Sequence, residues 1–310
     1  MDKEFNQIEW DKQLRESWLQ ILRLAAQEDL ADTGDWTTRA LVPDEAVSKA
    51  SIKSRSKGVI SGLVAIEDTL EFFDPRLSWT PESEDCQSVQ TGQCIGFIEG
   101  PTQSLLTAER TVLNMLGHLS GIATLTRQYV ELVYQTKAKI YDTRKTTPGW
   151  RRLEKYAVRC GGGQNHRTGL FEAVLIKDNH LAHGEHTAVD KRFTPAEAVT
   201  FARKYVETHV PSKSRKSMLI EVEIDRLDQL DEVLLAAPDI ILLDNMCPAE
   251  LREAVSRRDA CNRSIDLEAS GSVNLKTVAA IAETGVDRIS VGALTHSASC
   301  LDLGLDWHSS

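Results

Sequence analysis

The apolar residues of the chain change their spacing part-way along it. Between Ser48 and Glu99, short alternating runs separated by Pro, Gly and Ser predict strands. A long amphipathic helix is predicted over Thr107 to Gln135, with an interruption at Gly121. An earlier helix is predicted between Trp10 and Leu30, followed by the turn-rich loop EDLADTGDWTT, because apolar residues recur there at helical spacing: Leu14, Trp18, Ile21, Leu22 and Ala25. These patterns predict a small N-terminal α+β domain.

From about residue 138, β-like segments alternate with helical patterns, which predicts a parallel sheet with right-handed crossovers. A further strand is considered around Tyr156 to Cys160. The pattern therefore predicts an incomplete parallel α/β barrel of six to seven strands over residues 122–293, and assigns residues 1–121 and the tail 294–310 to the N-terminal domain. The six clear strands are AKIYDTRK, AVLIKDN, SMLIEVEID, DIILLDN, SIDLEASG and DRISVGA.

Nearly every predicted barrel strand ends in charged or small residues. In a parallel barrel these positions share one rim, where catalytic groups collect. They are Asp142, Arg144, Lys177, Asp178, Glu223, Asp244, Glu268, Ser270 and Gly292.

Composition excludes several classes of protein. The 310 residues contain no apolar run long enough for a membrane span, and the N-terminus lacks the features of a signal peptide, so a cytoplasmic protein is expected. The net charge of −10 disfavours binding to nucleic acid or anionic membrane. The six cysteines form no C-x-x-C pair and are expected to be reduced, mostly buried thiols.

One segment of the chain carries a net positive charge, in contrast to the chain as a whole. Between Arg144 and Lys177 there are eight basic residues and two acidic ones, interleaved with glycines and strand-like runs. A small anionic ligand explains this better than a solvated basic face, because guanidinium and ammonium groups at strand ends bind carboxylate and phosphate oxygens. The candidate anion-binding residues are Arg144, Lys145, His166, Arg167 and Lys177.

Three other sequence patterns each leave their function open. Glu223 and Asp244 each end a strand and could hold Mg²⁺ through waters, or could be buried acids neutralised by the basic residues. The stretches EASGSVN and SVGALTHSA could bind a phosphate or could be ordinary turns. The stretch containing His180, His183 and His186 is not predicted to bind metal, since no cysteine ligand lies nearby, and its role is left open.

Taken in order, seven stretches of the chain resemble the quinolinate phosphoribosyltransferase family, nearly from end to end. The resemblance implies an N-terminal α+β open-faced sandwich joined to an incomplete α/β barrel. It also implies a pentosyltransferase (EC 2.4.2.19) that converts quinolinate and phosphoribosyl pyrophosphate to nicotinate mononucleotide, pyrophosphate and carbon dioxide, in NAD biosynthesis. The stretches are EDLADTGDWTT, AERTVLNMLGHLSGIAT, residues 142–180, IEVEID, ILLDNM, LEASGSVN and DRISVGALTHSA.

The same resemblance implies roles for individual residues. Arg144, His166, Arg167 and Lys177 would surround the quinolinate carboxylates, with the catalytic Lys145 at the junction between the substrates. Glu223 and Asp244 would be catalytic and would serve Mg²⁺, and Arg110 would enter the partner subunit's site, which makes a homodimer the smallest active unit. The 5′-phosphate would be received by Ser270, Gly271, Gly292 and Ala293.

Other functions compete with this interpretation. A relative could act on a different pyridine carboxylate, a barrel aldolase could use Lys177 as a Schiff-base lysine, or a silent oligomer could keep the pocket without turnover. The complete set of charged rim residues argues against the silent oligomer. The donor of the final proton after decarboxylation is hypothesised to be Lys145, with bound water as its competitor.

Overall fold

The computed structural model describes residues 4–186, 191–215 and 217–308. These residues form two compact units. The barrel unit contains the segment up to residue 7 and residues 128–144 and 164–292, and the sandwich unit contains residues 8–127, 145–163 and 293 onward. Each unit is therefore made of three separate segments of the chain. The predicted boundary at 121/122 stays a prediction.

The helices and strands are numbered in chain order. The helices are α1 (Lys12–Leu30), α2 (Trp36–Leu41), α3 (Ile66–Phe73), α4 (Thr102–Val133), α5 (Arg151–Cys160), α6 (Asp178–His183), α7 (Pro195–His209), α8 (Ser212–Arg215), α9 (Leu230–Ala236), α10 (Pro248–Cys261), α11 (Val278–Ala282) and α12 (Ala293–His296). The strands are β1 (Val47–Ser54), β2 (Gly58–Val59), β3 (Ser78–Pro81), β4 (Ser88–Val89), β5 (Cys94–Pro101), β6 (Lys139–Tyr141), β7 (Val174–Ile176), β8 (Glu185–His186), β9 (Lys191–Arg192), β10 (Ile220–Ile224), β11 (Ile240–Asp244), β12 (Asp266–Ser270), β13 (Arg288–Ser290) and β14 (Leu303–His308).

The sandwich unit is built on a four-stranded sheet in the order β14-β1-β5-β3. The C-terminal tail forms β14, which pairs antiparallel with β1, as in the pair Ala50 and Trp307. One face of the sheet is apolar and covers a core that includes Ile52, Ile66 and Leu116. A sheet with one apolar face must bury it against another layer, and here helices supply that layer.

Helix α4 runs without a break through Gly121, so the predicted interruption is wrong. Gly121 has a packing role instead. A Cβ atom on this residue would lie 2.1 Å from the carbonyl oxygen of Ser299 and 2.9 Å from the Cα of Cys300. The glycine therefore allows the backbone near residue 299 to approach the helix closely.

The seventh strand considered around Tyr156 to Cys160 is also wrong, because these residues belong to helix α5. The buried residues Leu153, Ala157 and Val158 recur at helical and not at strand spacing. The helix ends at Cys160 and is capped by Gly161, and Gly162 follows with a φ of 92°, a conformation that glycine adopts without steric cost.

The barrel unit contains a six-stranded sheet in the order β6-β13-β12-β11-β10-β7. All five of its neighbouring strand pairs are parallel. Strands β6 and β7 are the two edge strands of this sheet and are not paired with each other in it, so the barrel is incomplete. The predicted fold class, a parallel α/β barrel with an N-terminal α+β domain, is confirmed.

Two composition-based expectations have different outcomes. Among the described residues, no helix is both long and apolar enough to cross a membrane. The expectation that the cysteines are mostly buried is wrong. Cys160 is buried and Cys94 is half-buried, whereas the thiols of Cys86, Cys247, Cys261 and Cys300 are on exposed residues. Cys86 lies in a turn, Cys247 and Cys261 lie at the two ends of α10, and Cys300 lies in the loop before β14.

Candidate active site

The carboxyl ends of the six parallel strands lie along one edge of the barrel sheet. Strand register places Asp244 beside Ser270, Ser290 beside Tyr141, and Val222 beside Ile176. Residues that directly follow these positions therefore share the same edge. The predicted site residues at or just beyond this edge are Arg144, Lys177, Glu223, Asp244, Ser270, Gly271 and Gly292.

Two arginines supply concentrated positive charge in the barrel unit. Arg167 is buried, and its Nη1 donates a hydrogen bond of 2.9 Å to the carbonyl of Ala173. Burial and the neighbouring charge of Arg144 lower the pKa of Arg167. Among the described residues, the buried Nε of Arg144 has no hydrogen-bond partner. Because buried donors are nearly always satisfied, this atom and the paired charges fit an anionic ligand.

Lys177 forms an ion pair with Glu223, joining the residue after β7 to a residue on β10. Lys177 is the N-cap residue of α6, and its backbone N–H donates to Nδ1 of His180 at 2.9 Å. Its ammonium is therefore held on the carboxyl edge of the sheet, where the carboxylate of Glu223 balances its charge.

A backbone hydrogen bond links the carboxyl ends of the parallel strands β11 and β12. The N–H of Asn245 donates to the carbonyl of Ser270 at 2.9 Å, and its side-chain amide donates to Oδ2 of Asp244 at 2.7 Å. Gly271 has a φ of 94°, and a Cβ atom on it would lie 2.2 Å from Oδ1 of Asn245. Only glycine fits this position. The predicted phosphate contacts of Ser270 and Gly271 stay predictions.

His166 lies inside the barrel unit with Glu221, which the sequence analysis did not name, and with Glu268, which it placed on the rim without a role. Its Nε2 is 3.1 Å from Oε2 of Glu221 and 3.6 Å from Oε1 of Glu268. All three side chains are buried. Burial, followed by the charge of Glu221, raises the pKa of Glu268 to about 7. The available signal was a glutamate in the middle of an otherwise apolar strand, as in IEVEID and LEASG.

Asp142, which the sequence analysis placed on the rim without a role, fixes the loop that carries His166. Its Oδ1 accepts a hydrogen bond of 2.8 Å from the backbone N–H of His166, and its Oδ2 accepts one of 2.7 Å from Nδ2 of Asn165. Asp142 is fully buried. A buried carboxylate with charge-assisted bonds of this kind makes the loop backbone rigid.

Three predicted site residues belong to the sandwich unit. Arg110 is exposed on α4, and Ala293 begins α12. The carbonyl of Lys145 accepts a hydrogen bond of 2.7 Å from Oγ1 of Thr295. In the histidine-rich stretch, His180 and His183 lie on α6, whereas the side chain of His186 lies outside the described residues.

The donor set at the edge of the barrel suits magnesium. Glu223 and Asp244 are half-buried carboxylates on the neighbouring strands β10 and β11. Mg²⁺ prefers oxygen ligands and commonly uses one or two carboxylates while it keeps several waters. The group formed by His166, Glu221 and Glu268 could also offer three ligand atoms, which lie within 4.8 Å of one another.

Comparison with protein families gives two adjoining matches. Residues 35–120 match the model described as quinolinate phosphoribosyl transferase, N-terminal domain, and residues 122–306 match that of the C-terminal domain. The chain belongs to the quinolinate phosphoribosyltransferase family. It is 44% identical over 289 residues to the nicotinate-nucleotide pyrophosphorylase (carboxylating) of Mycobacterium leprae, covering 92% of this chain and 95% of the relative.

Further relatives of this family extend the match to structure. The probable nicotinate-nucleotide pyrophosphorylase (carboxylating) of Bacillus subtilis is 38% identical, and 93% of each chain is covered. The solved nicotinate-nucleotide pyrophosphorylase of Francisella tularensis superposes with a TM-score of 0.86 at 37% identity, covering 98% of this chain and 100% of that one. The predicted family is therefore confirmed.

Proposed function

We propose that this chain transfers the phosphoribosyl group of phosphoribosyl pyrophosphate to quinolinate, with decarboxylation, and gives nicotinate mononucleotide, pyrophosphate and carbon dioxide. Family membership supports the reaction class. The observation that carries the assignment of the site is the pair Arg144 and Arg167, two like charges kept together in the barrel unit with a buried Nε donor of Arg144 left without a partner among the described residues. A dicarboxylate ligand would balance the two positive charges and would accept a hydrogen bond from this donor.

The anion-binding residues hold and orient quinolinate. Arginine binds a carboxylate bidentately, whereas the ammonium of Lys177 acts as a point charge. Arg144, Arg167 and Lys177 together match the two carboxylates of the substrate and aim its ring nitrogen at the anomeric carbon. Such orientation can supply a large part of the rate enhancement, because it removes the entropy cost of alignment from the reaction step.

The transfer step breaks the bond between the anomeric carbon and pyrophosphate and forms a carbon–nitrogen bond. Positive charge develops on the ribose ring, and the carboxylates of Glu223 and Asp244 stabilise it electrostatically. Bound Mg²⁺, held by these two carboxylates through water, would stabilise negative charge on the departing pyrophosphate. The loops after β12 and β13, with Ser270, Gly271 and Gly292, followed in the chain by Ala293, would receive the 5′-phosphate.

Decarboxylation follows on the ribosylated ring. Loss of carbon dioxide from the carboxylate next to the ring nitrogen leaves an electron pair on that carbon, and the adjacent cationic nitrogen stabilises it. A proton then replaces the carboxylate. Lys145, directly after Arg144 in the chain, is proposed as the donor, with bound water as the alternative.

We also propose Arg110 as a residue of the partner subunit's site in a cytoplasmic homodimer. Mixing two inactive variants, Arg110→Ala and Arg144→Ala, tests this. If sites are shared, mixed dimers contain one site with neither defect and recover activity. If each chain forms its site alone, the mixture stays inactive.

The reaction is tested with carboxyl-labelled quinolinate, phosphoribosyl pyrophosphate and Mg²⁺. Release of labelled carbon dioxide that depends on all three supports the proposal. Turnover of nicotinate but not quinolinate would favour a relative with another pyridine substrate. The aldolase alternative receives no support from the geometry, because Lys177 is paired with a carboxylate, whereas a Schiff-base lysine attacks as a neutral amine.

A further inference from the structure

The ring of His166 has both nitrogens directed at groups of the protein. Its Nδ1 accepts a hydrogen bond of 2.8 Å from the backbone N–H of Arg167. Nδ1 is therefore the acceptor, and Nε2, which faces Glu221 and Glu268, carries a proton. Only 5% of the residue is exposed.

A phenylalanine from the N-terminal end of the chain covers one face of the same ring. The rings of Phe5 and His166 are stacked, with centroids 4.3 Å apart and planes 26° apart. The guanidinium of Arg288 lies over the ring of Phe5 at 5.6 Å and over that of Tyr141 at 4.8 Å. Phe5 thus contacts both a cation and an imidazole, and such contacts favour particular ring orientations.

The segment around Phe5 is fixed to the barrel unit on both sides. Before it, the carboxylate of Glu4 accepts hydrogen bonds from the Tyr141 hydroxyl at 2.8 Å and from Nζ of Lys139 at 2.9 Å. After it, the side-chain amide of Gln7 donates to the Asn165 carbonyl at 3.1 Å and accepts from the Asn165 N–H at 2.8 Å. The last two contacts are made to the residue next to His166.

We propose that Phe5, Glu221 and Glu268 are positioning residues that hold the His166 ring in one orientation, and that His166 acts on bound quinolinate through the backbone of Arg167 and not as a direct ligand. This inference rests on the proposed function. The resemblance implied contact between His166 and a quinolinate carboxylate, and the proposal assigns the ring an indirect role instead.

The contact with Phe5 is tested by Phe5→Leu, which keeps an apolar side chain but removes stacking. The KM for quinolinate is expected to rise about threefold to tenfold, with little change in kcat or in the KM for phosphoribosyl pyrophosphate. Phe97→Leu is the matched control, since Phe97 lies against His308 in the sandwich unit at 5.7 Å. Equal effects of the two variants would overturn the proposal. If Phe5→Leu does not fold, Gln7→Leu removes the amide contacts with Asn165 and is expected to act in the same direction.

A double-mutant cycle with Arg167→Lys separates positioning from direct binding. If Phe5 acts through Arg167, Phe5→Leu has a smaller effect in the Arg167→Lys background than in the wild-type background. Additive effects would contradict the proposed route.

The ring itself can be followed without any activity measurement. In nitrogen-15 spectra, signals of His166 are assigned by their loss in His166→Gln and are expected to show a protonated Nε2, with a shift of that resonance in Glu268→Gln. A neutral ring protonated on Nδ1 would overturn the proposal. The proposal would also be overturned if the wild-type protein bound one equivalent of a metal ion and the Glu268→Gln variant bound none. These outcomes hold even if quinolinate proves not to be the substrate, so failure of the inference and failure of the proposed function are distinguishable.

Discussion

The ammonium of Lys177 and the carboxylate of Glu223 are ion-paired at the carboxyl edge of the barrel sheet. Under the proposed function, one belongs to the quinolinate end of the site and the other to the magnesium and ribose end. Each substrate therefore competes with an internal partner, and the unliganded charges neutralise one another. Under the proposed function, binding of the two substrates would replace this ion pair with contacts to the substrates.

Replacing Lys177 tests its share in quinolinate binding. Lys177→Met keeps the length of the side chain and removes the charge. Because a hydrogen bond to a charged group contributes about 1.5–3 kcal/mol, the dissociation constant for quinolinate is expected to rise roughly tenfold to a hundredfold, measured by calorimetry. Lys213→Met, at an exposed residue of α8, is the control. An unchanged dissociation constant would exclude Lys177 from the anion site.

Arg144→Ala is expected to weaken quinolinate binding by a factor of about thirty or more, because truncating one partner of a desolvated charge pair costs about 2–5 kcal/mol. Folding should change little, since Nε of Arg144 makes no hydrogen bond to the described residues. Calorimetry and thermal unfolding measure the two effects. Arg226→Ala removes an exposed arginine and serves as control. Normal quinolinate affinity would refute the role of Arg144.

Asp244→Asn is expected to reduce turnover more than quinolinate affinity. Removing one preorganised electrostatic group commonly costs about a hundredfold in kcat, and Asp244 is assigned to the substrate that carries the pyrophosphate. Steady-state kinetics and direct binding of quinolinate separate the two quantities. Asp228→Asn, at an exposed position, controls for loss of one negative charge. Comparable losses for both substrates would indicate a structural defect.

Stability is expected to depend on pH through Glu268. Burial and the charge of Glu221 raise its folded-state pKa from 4.5 to about 7. The folded protein then binds this proton more tightly than the unfolded chain, so its stabilising contribution is complete below about pH 4.5 and is lost as the pH rises toward 7. The loss is on the order of 3 kcal/mol.

The variant Glu268→Gln cannot lose this proton. Its stability relative to the wild type is therefore expected to increase between pH 5 and pH 8, about the window that the raised pKa defines. Thermal unfolding across this range gives the comparison, and Glu232→Gln on the exposed side of α9 is the control. A difference that does not vary with pH would show that Glu268 ionises normally.

Gly121→Ala is expected to destabilise the sandwich unit. Helix propensity alone predicts a gain of about 1 kcal/mol for this change. The Cβ atom would, however, lie 2.1 Å from a backbone oxygen of Ser299, and overpacking of this kind costs about 1–3 kcal/mol. Asn114→Ala, exposed on the same helix, isolates the propensity effect. A more stable Gly121→Ala variant would show that the segment near Ser299 moves away freely.

Much of the fold was determined by the sequence alone. The six barrel strands were predictable because short apolar runs alternate with helical patterns, and the side-chain period of each segment depends only on its own residues. The polar residues that end these strands identified Arg144, Lys177, Glu223 and Asp244, since parallel strands bring their carboxyl ends to one edge. Around Tyr156, the buried residues have helical spacing, and the strand predicted there is wrong.

Only the tertiary structure decided what surrounds His166. Phe5 precedes His166 by more than half of the chain, and Glu221 and Glu268 lie on different strands, so no local period relates these residues. Their contact exists because sheet register sets which inward side chains share a layer, and because the N-terminal segment pairs with Asn165. Local sequence fixes the conformation of each element, whereas the charge, burial and pairing of a side chain depend on which distant elements pack around it.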